Sequence, residues 1–216
     1  MKRNILLSFG MLFASLTVLA QYSDEAPKSK HHLFFSAGPS FPVGDFSSNN
    51  LDNENAGMAK TGYNLQLKYM YAPNSGIGFV ASTFYAKHGL DKSSFNVDST
   101  LSLDHWQYYG LMVGPMIVLP ITEDAKVDAY AQLGAGNFNS PEVLYGHQTI
   151  MEGKWSWAMP LQIGLDFRYE LGSNVCMQVS SEFFYAKPKY DFQGVSERVA
   201  QKISTIQLNA GIGIRF

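Results

Sequence analysis

The sequence predicts an all-β protein, an eight-stranded antiparallel up-and-down transmembrane β-barrel, on three observations. Apolar residues recur at every second position in eight separate stretches, the period of a strand whose two faces meet different surroundings. The connections between these stretches alternate between long and short along the whole chain. Only 16% of the 216 residues are charged, while 46% are hydrophobic and 14% aromatic; an average soluble domain carries about 25% charged residues.

The chain opens with Lys2 and Arg3 ahead of an apolar run from Ile5 to Leu19, which ends at Val18-Leu19-Ala20-Gln21. A positive start, a short apolar stretch and small residues before the cut make residues 1–20 a secretory signal peptide cleaved between Ala20 and Gln21. The run is shorter than the roughly 20 residues of a spanning helix. Residues 21–32 read as a short polar leader, and residues 33–216 as the barrel domain.

The first strand is expected at 33–43, with Leu33, Phe35 and Phe41 on its apolar face. In the second, Thr61, Tyr63, Leu65, Leu67, Tyr69 and Tyr71 alternate with Gly62, Asn64, Gln66 and Lys68. The third (76–87), fourth (106–119) and fifth (126–137) follow on Ile77, Phe79 and Tyr85, on Leu111, Val113, Ile117 and Leu119, and on Val127 and Leu133. The sixth runs from Trp155 to Glu170, the seventh over 174–186, and the last from Ile206 to Phe216. Such lengths exceed the usual five or six residues of a soluble strand and suit tilted strands crossing a bilayer, which need about 9 to 11. Long polar loops are expected over about 44–60, 88–105, 138–154 and 187–202, with tight turns at Ala72–Gly76, Pro120–Asp124 and Leu171–Asn174. Long extracellular loops and short periplasmic turns are the pattern of outer-membrane barrels.

Eight strands leave a lumen that side chains fill, so the face opposite the large apolar residues is expected to be small or polar. Ten glycines lie on it, as do Lys68, Asp128, Asp166, Arg168, Glu182 and Arg215. Arginine or lysine facing lipid at mid-membrane costs about 2–4 kcal/mol, so these six point inward as a self-neutralising network of three positive and three negative groups. Two aromatic belts are expected: Tyr63, Tyr85, Trp106, Tyr108, Tyr109, Trp155, Trp157 and Tyr185 at the long-loop end, and Tyr69, Tyr71, Tyr169 and Phe216 at the other. Pro39, Pro115 and Pro160 fall inside strands of a barrel without free edges, which predicts bulges there.

The signal peptide, the alternating strands, the segments Ala37-Gly38-Pro39-Ser40-Phe41-Pro42-Val43-Gly44-Asp45-Phe46 and Val113-Gly114-Pro115, and the closing Ala210-Gly211-Ile212-Gly213-Ile214-Arg215-Phe216 resemble the small outer-membrane β-barrel family that includes PorT-like proteins. In plan the chain is more distantly similar to OmpA and OmpX barrels. The resemblance implies insertion by the barrel-assembly machinery, which recognises a C-terminal strand ending in an aromatic residue, here Phe216. It implies no shared activity.

Net charge is −2 with no charged block, which removes nucleic acid as a partner. The single cysteine, Cys176, excludes an intrachain disulfide and reads as an inward space-filler. His88, Asp91, Ser93, Ser94, Asp104 and His105 in the second long loop, and Ser140, Glu142 and His147 in the third, offer an apparent set of the kind that polar loops contain by chance; nucleophilic catalysis demands base and nucleophile within hydrogen-bond reach, and these residues read as solvated loop polarity. Asp45, Asp52 and Glu54 have no calcium-loop spacing, and His31 and His32 lack further metal ligands. No enzyme and no cofactor is expected. The expected partners are outer-membrane lipid, the assembly machinery and a surface or secretion partner reached through loop-tip aromatics Phe95, Tyr145, Tyr190 and Phe192. The alternatives are a narrow small-solute channel, a lipid-modifying enzyme and a soluble lipocalin-like binder; the last would need an apolar inside and a charged outside.

Overall fold

The protein is described by a computed structural model covering residues 30–50, 52–53, 55–91, 101–145, 148–172, 174–191 and 198–216. The signal peptide, the Ala20–Gln21 cut, and residues Glu54, Ser93, Ser94, Phe95, His147 and Phe192 lie outside the described residues.

Eight strands pair in sequence order: β1 (His31–Pro42), β2 (Gly62–Tyr71), β3 (Gly76–His88), β4 (Trp106–Pro120), β5 (Ala125–Asn139), β6 (Trp155–Ala158 continued by Leu161–Glu170), β7 (Val175–Ala186) and β8 (Ile203–Arg215). Every pairing is antiparallel, and β8 returns to β1 to close the barrel. The first strand begins at His31, two residues ahead of the boundary expected between leader and barrel.

Alternation sorts the two faces as expected. Phe35, Leu67, Ile77, Leu111, Val113, Leu133, Ile163, Leu165, Phe167, Val179, Leu208 and Ile212 are exposed on the outer wall, while their strand neighbours are buried. An exterior this apolar, with the polar residues turned inward, is stable against hydrocarbon and not against water. Tyr63, Tyr109, Trp155 and Trp157 stand exposed towards the long loops, and Tyr169 and Phe216 towards the short turns. Trp106 and Tyr108 are not part of the belt. The even positions of β4 face inward, and both side chains are buried.

The bulges expected at Pro39, Pro115 and Pro160 are absent. Ala37 pairs with Ala210 and Ser40 with Gln207, Val113 with Leu133 and Met116 with Tyr130, and Ala158 with Gly136 and Leu161 with Leu133. Each gap therefore skips equal lengths on both strands. A proline loses its amide towards one neighbour only, and the other ladder runs through it, as Pro39 opposite Tyr63 and Pro115 opposite Phe79 show. At the first two gaps the preceding glycine closes the space. A Cβ on Gly38 would lie 1.8 Å from the Leu208 carbonyl oxygen, and one on Gly114 would lie 1.8 Å from that of Ala131. Cα–H contacts to these oxygens stand in for the missing bond.

Two of the long loops join above the barrel rim. Leu101–Leu103 pairs with Val143–Tyr145, which pairs with Gln148–Met151, and the Asp104 amide donates to the Glu142 carbonyl at 2.9 Å. In the fourth loop Lys189–Tyr190 pairs with Val199–Ala200.

Candidate functional site

Going from the long loops towards the short turns, the lumen is filled by an aromatic layer, a central ionic layer and a second ionic layer. The aromatic layer consists of Phe84, Tyr108, Phe138 and Phe184, with Trp106 above. The Tyr108 and Phe184 rings stack at 5.2 Å and 17°, and Tyr108 and Phe138 at 5.4 Å and 23°. The inward face is thus not uniformly small or polar, and towards the short turns Phe34, Met70, Val80 and Met116 are buried in it as well. The sequence reading missed this because it placed aromatic residues by nearness to strand ends and not by face.

The first long loop covers the mouth. Its 3-10 turn, Gly44–Ser47, drives Phe46 to complete burial, edge-on to His88 at 5.4 Å and to Trp106 at 5.6 Å. The Trp106 indole donates to the Gly57 carbonyl at 2.9 Å, and the Gln201 amide to that of Asn55 at 2.9 Å. His88 Nδ1 faces the Lys60 carbonyl at 3.1 Å; a carbonyl can only accept, so Nδ1 carries the proton. His88 Nε2 then accepts from the Tyr108 hydroxyl at 3.0 Å or from Ser40 at 3.2 Å. His88 thereby braces the cap, and Asp91 ties onto the same loop, pairing with Lys60 at 3.1 Å and accepting from the Asn49 amide at 3.0 Å, whereas His105 pairs with Asp104. Ser140 is tied to Lys154.

Asp45 is held by two of the protein's own donors. It accepts from Lys202 Nζ at 2.9 Å and from the Asn53 amide at 3.2 Å. The Lys202 bond, and then the Asn53 bond, hold the Asp45 carboxyl below its ordinary value, and the same bond raises Lys202. A depressed acid contributes its tie above its unfolded pKa, about 3.9, and loses it as pH falls through the lower folded value; the raised lysine loses its own as pH rises past about 10.4. An NMR titration of the Asp45 carboxyl is expected to show a midpoint below the ordinary range, moving back towards it in Lys202→Met, where the Asn53 bond remains.

In the central layer Lys68 on β2 donates to Asp166 on β6 at 2.9 Å, to Glu182 on β7 at 2.9 Å and to the Tyr130 hydroxyl on β5 at 2.7 Å. Tyr130 reaches them because its cross-strand neighbour is Gly164, where a Cβ would lie 2.4 Å from the ring. Tyr130 passes its one proton onward to Asp166 or Glu182, both within reach of its hydroxyl, and Gln66 and Asn209 donate to Glu182. Lys68, Asp166 and Glu182 are essentially inaccessible.

In the lower layer Arg168 grips Asp128 with two bonds, of 2.8 and 3.2 Å, the fork geometry that favours arginine. Its third nitrogen donates to His32 at 3.0 Å. Glu170 accepts from both Arg215 and Lys126. All six expected lumen charges are therefore inward, but they form two groups and not one, and Lys126 and Glu170 complete the lower group. The alternation placed these two on the inner face as well; their position at strand ends hid their pairing. Cys176 is buried among Phe34, Met70, Val80 and Met116, as a space-filler would be. His31 and His32 point apart: His31 bonds Tyr69 at 2.7 Å on the outer side and stacks on Phe216.

No family model matches the sequence, and no curated protein matches it. Among solved structures, neisserial surface protein A is similar over 89% of this chain and 100% of its own, with 13% identity and a TM-score of 0.54. A major outer membrane protein of Thermus thermophilus is similar over 86% and 99%, at 14% and 0.51. Ail, the attachment invasion locus protein of Yersinia pestis, solved with a heparin analogue, is similar over 85% and 99%, at 20% and 0.50. The fold is that of an outer-membrane β-barrel. With its apolar outer wall and aromatic ends, such a barrel belongs in a Gram-negative outer membrane. The lipocalin-like alternative is overturned by the same wall, which is apolar where that architecture needs charge.

Proposed function

We propose that this outer-membrane barrel is a closed, non-enzymatic scaffold that presents its long loops at the cell surface for structural or interaction roles. The observation that carries the reading is double closure. Phe46 and the aromatic layer fill the mouth, and two layers of paired charges fill the lumen beneath, so binding surface is left to the rim and the loops. The three-stranded sheet joining the second and third loops supports a built surface. Of the loop-tip aromatics, Tyr190 is buried and packs against Trp106 at 6.3 Å, so it is withdrawn as a contact residue; Tyr145 has its backbone in the loop sheet. Placement within the PorT-like family, and Phe216 as the signal read by the assembly machinery, belong to this proposal and rest on the sequence motifs.

Purified folded protein in liposomes tests the closure. Permeability to small sugars and ions is expected to match that of protein-free vesicles, in wild type and in Phe46→Ala alike, because the ionic layers remain below the cap. Steady solute flux through the wild type would replace this reading with the narrow channel.

A further inference from the structure

The apolar outer wall is not evenly filled. Over β2, β3 and β4 the register sets Leu67, Thr83 and Leu111 in one outward row and Tyr69, Ala81 and Val113 in the next. In both rows the middle strand carries the smallest side chain, so the larger residues on either side stand as walls. They enclose a groove of about 380 Å³ along β3, lined almost wholly by apolar surface and within the roughly 300–1,000 Å³ of ligand pockets. Phe79 follows at the short-turn end, its ring 5.8 Å from that of Tyr69. At the other end the same face of β3 continues through Tyr85 to Lys87. Tyr63 on β2 and Gln107 on β4 lie opposite Lys87, and the Tyr63 and Tyr85 rings are 6.2 Å apart. Lys87 makes no ion pair among the described residues; the nearest described carboxylates along the chain, Asp91 and Asp104, pair with Lys60 and His105.

Depth, width and charge together select the occupant. Ala81 lies six residues from Lys87, about 20 Å along the strand and about 15 Å in depth at a tilt of about 40°. One leaflet of hydrocarbon is about 15 Å deep, so the groove runs from headgroup level to the middle of the bilayer, the span of one acyl chain. Its walls rise from strands two spacings apart, about 10 Å between backbones, and their side chains narrow it further. A helix 10–12 Å across does not enter, and a second barrel offers only a convex wall. At the rim, the lysine stem carries its ammonium to the headgroup level, beside phenol hydroxyls and an amide that can also donate. A cation with such donors around it matches a phosphate.

We propose that this face of the barrel binds one anionic phospholipid from the leaflet at the long-loop end. One acyl chain lies in the groove over Ala81 and Thr83, and the phosphate is held by Lys87 with Tyr63, Tyr85 and Gln107 as neighbouring donors. The site rests on the seating of the barrel in the membrane and not on the surface role above.

Full-length mature protein in detergent, titrated with phosphatidylglycerol or with phosphatidylcholine of the same acyl chains, provides the test, with bound lipid counted by native mass spectrometry. One lipid per barrel is expected to persist, phosphatidylglycerol being favoured about fivefold, the worth of one lysine beside anionic headgroups. Lys87→Gln is expected to abolish that preference. Ala81→Phe fills the groove and is expected to remove the bound lipid, whereas Ala129→Phe, on the same wall between Ile117 and Leu165, retains it. Heat-dependent gel mobility reports whether each variant is folded. Wild-type crystals grown with phosphatidylglycerol brominated in mid-chain need no variant and are expected to show an anomalous peak over Ala81. Equal binding of the two lipids, a preference that survives Lys87→Gln, or lipid retained by folded Ala81→Phe would each overturn the proposal. So would crystals without a bromine peak in the groove, or a pair of barrels in place of the lipid.

Discussion

Lys68→Met is expected to destabilise the folded barrel by about 3–5 kcal/mol, the cost of removing one partner from a buried ion pair. Lys68 is the only cation touching Asp166 and Glu182 among the described residues, and methionine fills a similar volume without a donor. Two buried carboxylates then face each other with only Tyr130, Gln66 and Asn209 among the described side chains to donate. The loss is the stranding of those charges and not the worth of the lysine. Adding Asp166→Leu and Glu182→Gln to Lys68→Met is therefore expected to recover most of it. Equilibrium urea unfolding in vesicles measures both. The lysine at the cap, Lys202, is well exposed beside Asp45, and its removal is expected to leave the global midpoint nearly unchanged.

The second large effect lies on the outer wall. Ile163 sits midway along β6, between Ala131 and Phe183 on the neighbouring strands, and is 53% exposed. Ile163→Arg is expected to cost about 2–4 kcal/mol, because the guanidinium meets hydrocarbon. Met159→Arg lies on the same wall beside the exposed tryptophans and is expected to cost about 0–1 kcal/mol, as it reaches the interface. Water outside the barrel would remove this depth dependence, since exposed substitutions usually fall within about 0.5 kcal/mol.

The fold was legible because a closed barrel leaves each strand one residue of freedom: a position faces either lipid or lumen, and the alternation from Thr61 to Tyr71 or from Leu161 to Glu170 states which. The direction of each charge followed from the same parity. Their partners did not. Lys68 meets residues 98 and 114 positions away, and which charges share a level depends on the stagger of the closed barrel, which no single strand encodes. The cap was hidden for a different reason. Phe46 is one aromatic in a polar loop, and its burial depends on His88, Trp106, Gln201 and Lys202 arriving from three distant segments. The prolines misled because a missing amide suggests an inserted residue, whereas the glycine before Pro39 or Pro115 lets the neighbouring carbonyl close in without any change of register.

The central claim is a closed barrel seated in the outer membrane, and gel mobility of that membrane fraction in detergent, unboiled against boiled, tests it most directly. A compact species that migrates faster until heated, then shifts to the position of the unfolded mature chain, is the predicted result. A soluble periplasmic band whose mobility heating does not change would contradict it.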